Sequence, residues 1–193
     1  MSFSSNVKEE LSKLENLANK ENVKQELIGY LVSCNTTISK NKIKFATESE
    51  YNINRLAKIL NNCKIVEYKI EIQDKSYIIT FKRKEIEEKL NELLEIKENY
   101  INFTLQEIQY LETTNKQSEE PIKAFVRGMF LGAGAINNPE KANQLSVGVN
   151  TENIAQTILE NLEKHNIKFK IIKKSENYHI YTKDGEEISK ILA

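Results

Sequence analysis

Two cysteines, Cys34 and Cys63, and two histidines, His165 and His179, are the side chains best suited to soft-metal or nucleophilic chemistry. A structural zinc site wants four ligands at short, paired intervals, whereas these four are scattered along most of the chain. The cysteines read as buried reduced thiols. His179 stands between Tyr178 and Ile180 with no acid or nucleophile close in sequence, so an acid–base role has no support. The glycines Gly29, Gly128 and Gly132 sit in apolar segments and are not followed by the lysine–threonine or lysine–serine pair of a phosphate loop. Their expected use is close packing of one helix on another. No catalytic residue, metal ligand or cofactor is expected.

The lysines permit one kind of chemistry, the neutralisation of phosphates. Lys42, Lys44, Lys69, Lys82, Arg83 and Lys84 fall on or at the ends of strand-like segments in the first half, and Lys168, Lys170, Lys173 and Lys174 do so in the second. Placed on one side of a sheet, such residues bind a polyanion in a salt-dependent way. A half-solvated antiparallel sheet in a lysine-rich chain shows the same alternation with no ligand at all, and both readings stand. Glu71 beside Lys69 weighs against the first reading. So does a formal net charge of zero, from 28 basic and 28 acidic residues. Arginine occurs only at Arg55, Arg83 and Arg127, too few for extensive bidentate reading of guanine. Arg127 interrupts an apolar helix, where it either snorkels to the surface or pairs with an acid, a structural role in both cases.

The elements that position these residues repeat. ELIGYLVSCNTTIS (Glu26–Ser39) and AFVRGMFLGAGAIN (Ala124–Asn137) are glycine-marked apolar helices. Each is followed by a polar helix start, at Glu50 and Thr151, then by paired short strands and an acidic–basic helix. Apolar spacing predicts helices over Asn6–Ala18, Val23–Ser33, Tyr51–Leu60, Ile86–Leu94, Pro121–Leu131, Thr151–His165 and Glu187–Leu192. Alternation predicts a hairpin within Thr37–Ala46 and strands at Ile65–Gln73, Ser76–Phe81, Leu145–Val149, Ile167–Lys173 and Tyr178–Thr182, with turns at Asp74-Lys75 and Asp184-Gly185. The aromatics Tyr68, Tyr77, Phe81, Phe169, Tyr178 and Tyr181 are expected to pack in the core or across strands. Divided this way, the chain has an amino-terminal helix (1–22), a first repeat (23–96), a connecting segment (97–121) and a second repeat (122–193). The connector carries core-type residues at Ile101, Phe103, Leu105, Ile108 and Leu111, followed by the polar run Thr113–Pro121. No apolar run approaches the roughly 20 residues of a membrane span, and a cytoplasmic location is expected.

This arrangement resembles the LAGLIDADG homing-endonuclease fold and is most similar to its non-enzymatic branch in the WhiA family of bacterial transcription and cell-division regulators. The resemblance rests on MSFSSNVKEEL at the start, KAFVRGMFLGAGAINNPEK (Lys123–Lys141) and YHIYTKDGEEISKIL (Tyr178–Leu192). It implies an α+β fold of two tandem repeats, α-β-β-α-β-β-α, related by a pseudo-two-fold axis. In the endonucleases each motif helix presents a metal-binding acid at its foot. Placed on that pattern, the acidic positions fall at Cys34 and Ala133, neither of which supplies the oxygen a hard cation wants. Asn35, Asn137, Asn138 and Glu140 are the nearby polar residues. The resemblance therefore implies a chain with no nuclease activity, associated with double-stranded DNA, the nucleoid, transcription control, cell division and chromosome segregation. The family also carries a helix-turn-helix domain after this region. No trace of one precedes Ala193, so DNA recognition is expected mainly from that absent part. A protein-interaction module without DNA affinity is the alternative.

Overall fold

Each of the two apolar helices is followed by the same run of elements. The computed structural model describes residues 2–98, 100–103 and 120–192. Helix α1 (Phe3–Ser12) precedes α2 (Lys20–Val32), β1 (Thr36–Ile38), β2 (Lys42–Thr47), α3 (Glu50–Asn62), β3 (Tyr68–Gln73), β4 (Ser76–Lys82) and α4 (Arg83–Lys89). A hairpin of β5 (Leu94–Lys97) and β6 (Tyr100–Phe103) comes next. Then follow α5 (Glu120–Ala133), β7 (Gly134–Ile136), β8 (Leu145–Val149), α6 (Glu152–Lys164), β9 (Lys170–Lys174), β10 (Asn177–Thr182) and α7 (Gly185–Leu192). The strands form two four-stranded antiparallel sheets with the same order, β1-β2-β4-β3 and β7-β8-β10-β9. This is an α+β fold of two like repeats.

Local sequence explains most element starts. Ser2, Asn19, Ser49 and Thr151 are N-caps whose side chains accept hydrogen bonds from backbone amides of the first turn. Alternation then assigns the sheet faces. Ile43, Phe45, Ile79 and Phe81 of the first sheet and Leu145, Val147, Val149 and Ile180 of the second are buried against the helices. Tyr68, Tyr77, Phe169 and Tyr178 pack against the same core, while Tyr181 lies opposite Ser146 and Lys170 on the other face.

Helices α2 and α5 cross at the centre of the molecule with backbone touching backbone. A Cβ at Gly29 would stand 2.2 Å from the Phe125 carbonyl oxygen, and one at Gly128 would stand 2.0 Å from that of Glu26. At Gly132 it would meet Ser33 Oγ at 2.4 Å. Glycine is required at these crossings because any side chain would force the helices apart.

Four sequence expectations are corrected. The first helix ends at Ser12 rather than Ala18, because the chain turns to bring the Leu14 carbonyl and the Asn16 side chain to Arg55. The stripe Ile86–Leu94 is not one helix. Helix α4 stops at Lys89 and Leu94 opens β5, since Arg83 donates to the carbonyls of Ile96 and Glu98 and draws the chain back. Strand β7, three residues at the foot of α5, has no counterpart in the alternation reading. Cys63 is buried, but Cys34 is half-exposed; both are free thiols. Among the connector residues, Ile101 and Phe103 are buried in the β5–β6 hairpin, with Phe103 stacked on Phe125 at 5.4 Å. Leu105, Ile108, Leu111 and residues 113–119 lie outside the described residues.

Candidate nucleic-acid interface

The faces of the two sheets turned away from the helices carry the candidate phosphate-binding lysines. On the first sheet, the register places Lys42 beside Lys82, Lys44 beside Thr80 and Lys69 beside Thr80, all on the outer face. Two of these four charges are already engaged. Lys69 is 2.7 Å from Glu71 and Lys82 is 2.6 Å from Glu67. Each bridge raises the lysine pKa and lowers that of its carboxylate, first through the hydrogen bond and then through charge. Lys42 and Lys44 are exposed and form no ion pair among the described residues.

On the second sheet, Lys170 and Lys174 share the outer face with Ile172, Asn177, His179 and Tyr181. Lys168 is exposed just ahead of β9. Three expected members are elsewhere. Lys173 points to the helix side, its ammonium 5.8 Å from the centre of the Tyr178 ring. Adjacent residues of a strand cannot both face outward, so Lys174 excludes Lys173. Arg83 opens α4 and spends its guanidinium on Glu87 at 2.7 Å and on three backbone carbonyls. Lys84 is exposed on α4 rather than on a sheet.

The feet of α2 and α5, where the resemblance to the endonucleases leads one to expect acids, end in capping groups. Ala133 is the last residue of α5, and Cys34 follows the Ser33 C-cap of α2. Asn35 donates to the Gly132 carbonyl at 2.8 Å, and Asn52 donates to that of Leu131 at 2.7 Å while accepting from Tyr30 at 2.6 Å. Ser33 and Thr36 both donate to the Tyr30 carbonyl. The carbonyls that close two helices are thus satisfied by neutral donors. Helix α1 adds a cation. Lys8 lies near Cys34, with its ammonium 5.7 Å from the Phe130 ring. Burial lowers the Lys8 pKa, partly offset by Cys34. Two helix C-termini converge here, and a cation complements their partial negative charge.

These donors do not fit a hard metal ion. Thiol, methyl, amide and ammonium groups surround the point where carboxylates would be needed. Among the described residues no cluster of three or more His, Cys, Asp or Glu side chains could hold a metal. Asn138 is occupied in accepting the Glu140 backbone N–H at 3.0 Å, and Glu140 and Asn137 are exposed.

The structure supplies a neighbour that sequence could not show. Cys34 and His179 flank Gly148, with Sγ 2.7 Å and the ring Cε1 3.3 Å from where a Cβ there would stand. This is not an activated pair. Burial raises the Cys34 pKa despite its backbone hydrogen bond and Lys8, while burial and Lys174 lower that of His179, so both groups are held neutral.

Behind the feet lies a charged core that sequence reading found only in part. Arg127 does pair with an acid where the motif helices meet, at 3.4 Å from Glu26. The main partner of Glu26 is Arg55, whose Nε and Nη2 donate to its two oxygens at 2.7 and 2.9 Å. No local spacing links positions 26 and 55.

Comparison with known proteins places these features. The family model for the WhiA LAGLIDADG-like domain matches residues 33–110 and 122–193. A "Probable cell division protein WhiA" of Clostridium tetani is 31% identical over 100% of this chain and 63% of its own length. The like-named protein of Clostridium botulinum is 30% identical, over 100% of this chain and 64% of its own. The chain thus spans somewhat under two thirds of the curated relatives it matches. Among solved structures, full-length DUF199/WhiA from Thermatoga maritima aligns over 100% of this chain and 61% of its own, with a TM-score of 0.71 at 22% identity. The endonuclease I-DmoI in complex with DNA and Mn aligns over 89% of this chain and 94% of its own, with a TM-score of 0.56 at 11% identity. These two likenesses show the fold. No helix among the described residues is long and apolar enough to cross a membrane.

Proposed function

The chain belongs to the WhiA LAGLIDADG-like family, and from that premise we propose a non-catalytic, DNA-associated part of a regulator of cell division, chromosome segregation and transcription. In this reading its two repeats form a pseudo-two-fold saddle that rests on double-stranded DNA as scaffold or auxiliary grip. The observation that carries the reading is the exposure of Lys42, Lys44, Lys170 and Lys174 on the outer sheet faces, and it is joined by Cys34 and Ala133 at the positions that the resemblance gives to acids. The relatives' name supports the cell-division role, and a neighbour of like fold solved in complex with DNA supports the choice of DNA as partner. Base-specific recognition is assigned to the remaining third of the longer relatives, with the whole working on the nucleoid.

One observation favours a second reading, a protein-contact module. Lys69 and Lys82 are neutralised by Glu71 and Glu67, which leaves the first sheet less basic than its lysine count suggests. Duplex binding across a salt series, with magnesium present and the DNA checked for breaks, separates the two. Four phosphate contacts predict a slope of log K against log salt of about −3.6, with no cleavage. Absence of binding at low salt would reject the DNA reading in favour of protein contact.

A further inference from the structure

Strand β3 is the edge of the first sheet, bonded to β4 on one side and to no other strand among the described residues on the other. Its helix-facing side is apolar beyond the edge of the core. Ile70 is 40% exposed and Ile72 is 68% exposed, with Val66, just ahead of the strand, at 67%. The matching edge strand of the second sheet, β9, carries the charged Lys173 on that side, a usual protection against strand pairing. Strand β3 has no such protection.

The sequence of β3, Tyr-Lys-Ile-Glu-Ile-Gln, is complementary to itself when reversed about Ile70. We propose that this edge is an interface for a second copy of the chain, with two β3 strands pairing antiparallel about a two-fold axis at Ile70. Backbone alternation supports this register. The two-residue turn Asp74-Lys75 makes Gln73 and Ser76 a bonded pair, so Lys69, Glu71 and Gln73 direct their amides and carbonyls to β4. The backbone groups of Tyr68, Ile70 and Ile72 are then turned to the open edge. An axis at Ile70 joins Ile70 to its own copy and Ile72 to the Tyr68 of the second chain through those free groups. It also sets Lys69 opposite the second chain's Glu71, twice over. Shifting the axis to Glu71 or Lys69 places like charges face to face. Within each chain Lys69 and Glu71 satisfy each other at 2.7 Å, and pairing exchanges these two bridges, one per chain, for two across the interface.

Six residues a side is a small contact, so the dimer is expected to be weak and concentration-dependent. It does not depend on the DNA reading, but it would align two saddles into one longer outer face.

The test is sedimentation velocity of the 193-residue chain from micromolar to near-millimolar concentration. The variants are Lys69→Glu, Glu71→Lys and a 1:1 mixture of the two; both positions are surface-exposed, and circular dichroism checks the fold. The expected result is self-association of the parent chain and at least about a tenfold weakening in each variant alone, from like charges opposed across the strands. The mixture should recover dimer, because unlike variants restore both cross-strand pairs. Failure of the parent to associate would overturn the proposal. So would association that both single variants leave unchanged, since the contact would then lie elsewhere.

Discussion

Arg55 grips Glu26 with two hydrogen bonds at 2.7 and 2.9 Å, and both side chains are only 1% exposed. Two further guanidinium donors go to the Leu14 carbonyl at 3.0 Å and to Asn16 at 2.7 Å. Burial opposes the charge on Arg55, but the hydrogen bond and charge of Glu26 outweigh it and raise its pKa. One carboxylate therefore ties α2, α3, α5 and the segment after α1 together. Replacing it leaves the buried Arg55 and the half-buried Arg127 without their anion, so Glu26→Gln should destabilise by roughly 3–5 kcal/mol. Arg127→Met removes a longer contact from a more exposed residue and should cost far less. Urea unfolding of both variants checks the order.

Gly29→Ala and Gly128→Ala test the helix crossing. Each added methyl would stand within 2.2 Å of a backbone oxygen of the facing helix. Backbone cannot rotate away as a side chain can. A loss on the order of 3 kcal/mol is expected for either, read from the urea midpoint. A neutral result would mean that the helices separate at little cost.

Gln25 offers the opposite sign. Its amide is buried, and among the described residues neither the nitrogen nor the oxygen is hydrogen-bonded. Gln25→Met keeps the volume and removes the unsatisfied group, and should raise stability by about 1 kcal/mol. Thermal and urea midpoints should both rise.

Much of this architecture was legible from residue pattern. The repeated apolar helices, the polar helix starts at Glu50 and Thr151, and the turn at Asp74-Lys75 are local signals, and each marks its element within a few residues. What stayed hidden is non-local. Nothing near position 55 announces Glu26 as its partner, and nothing near Arg83 announces that its guanidinium will hold the carbonyls of Ile96 and Glu98 and end a helix. Lys8 reaches the motif-helix feet only because α1 packs there. Lys173 and Lys174 are chain neighbours, and alternation puts them on opposite faces of β9.

The outer-face lysines give the functional prediction. Reversing Lys42 and Lys44 to glutamate should weaken duplex binding and flatten its salt dependence by about two units of slope. Lys173→Glu, on the helix side of its sheet, should change neither. An equal effect from all three would place the contact somewhere other than the outer faces.

Cys63 links burial to pH. Burial pushes its pKa up to about 11, opposed only weakly by Lys24. A thiol held protonated in the folded chain contributes stability that is full below about pH 9 and is lost as pH rises through about 11. Relative to Cys63→Ala, the parent should lose on the order of 2–3 kcal/mol across that window. Urea midpoints at about pH 8 and about pH 10.5 reveal the difference. At neutral pH the half-exposed Cys34 should react with maleimide well before Cys63.

The meeting of α2 with α5 also sets an order of events during synthesis. Asn35 donates to Gly132 across 97 positions of chain, and Ser4 accepts from Ile136 across 132. At a ribosomal pace of about 5–20 residues per second, α2 waits many seconds with its glycine face bare before α5 emerges. Contacts of such long sequence separation also close slowly once both partners exist. The first repeat therefore spends its early life incomplete, and that interval is when a chaperone or a neighbouring chain has its best opportunity to intervene.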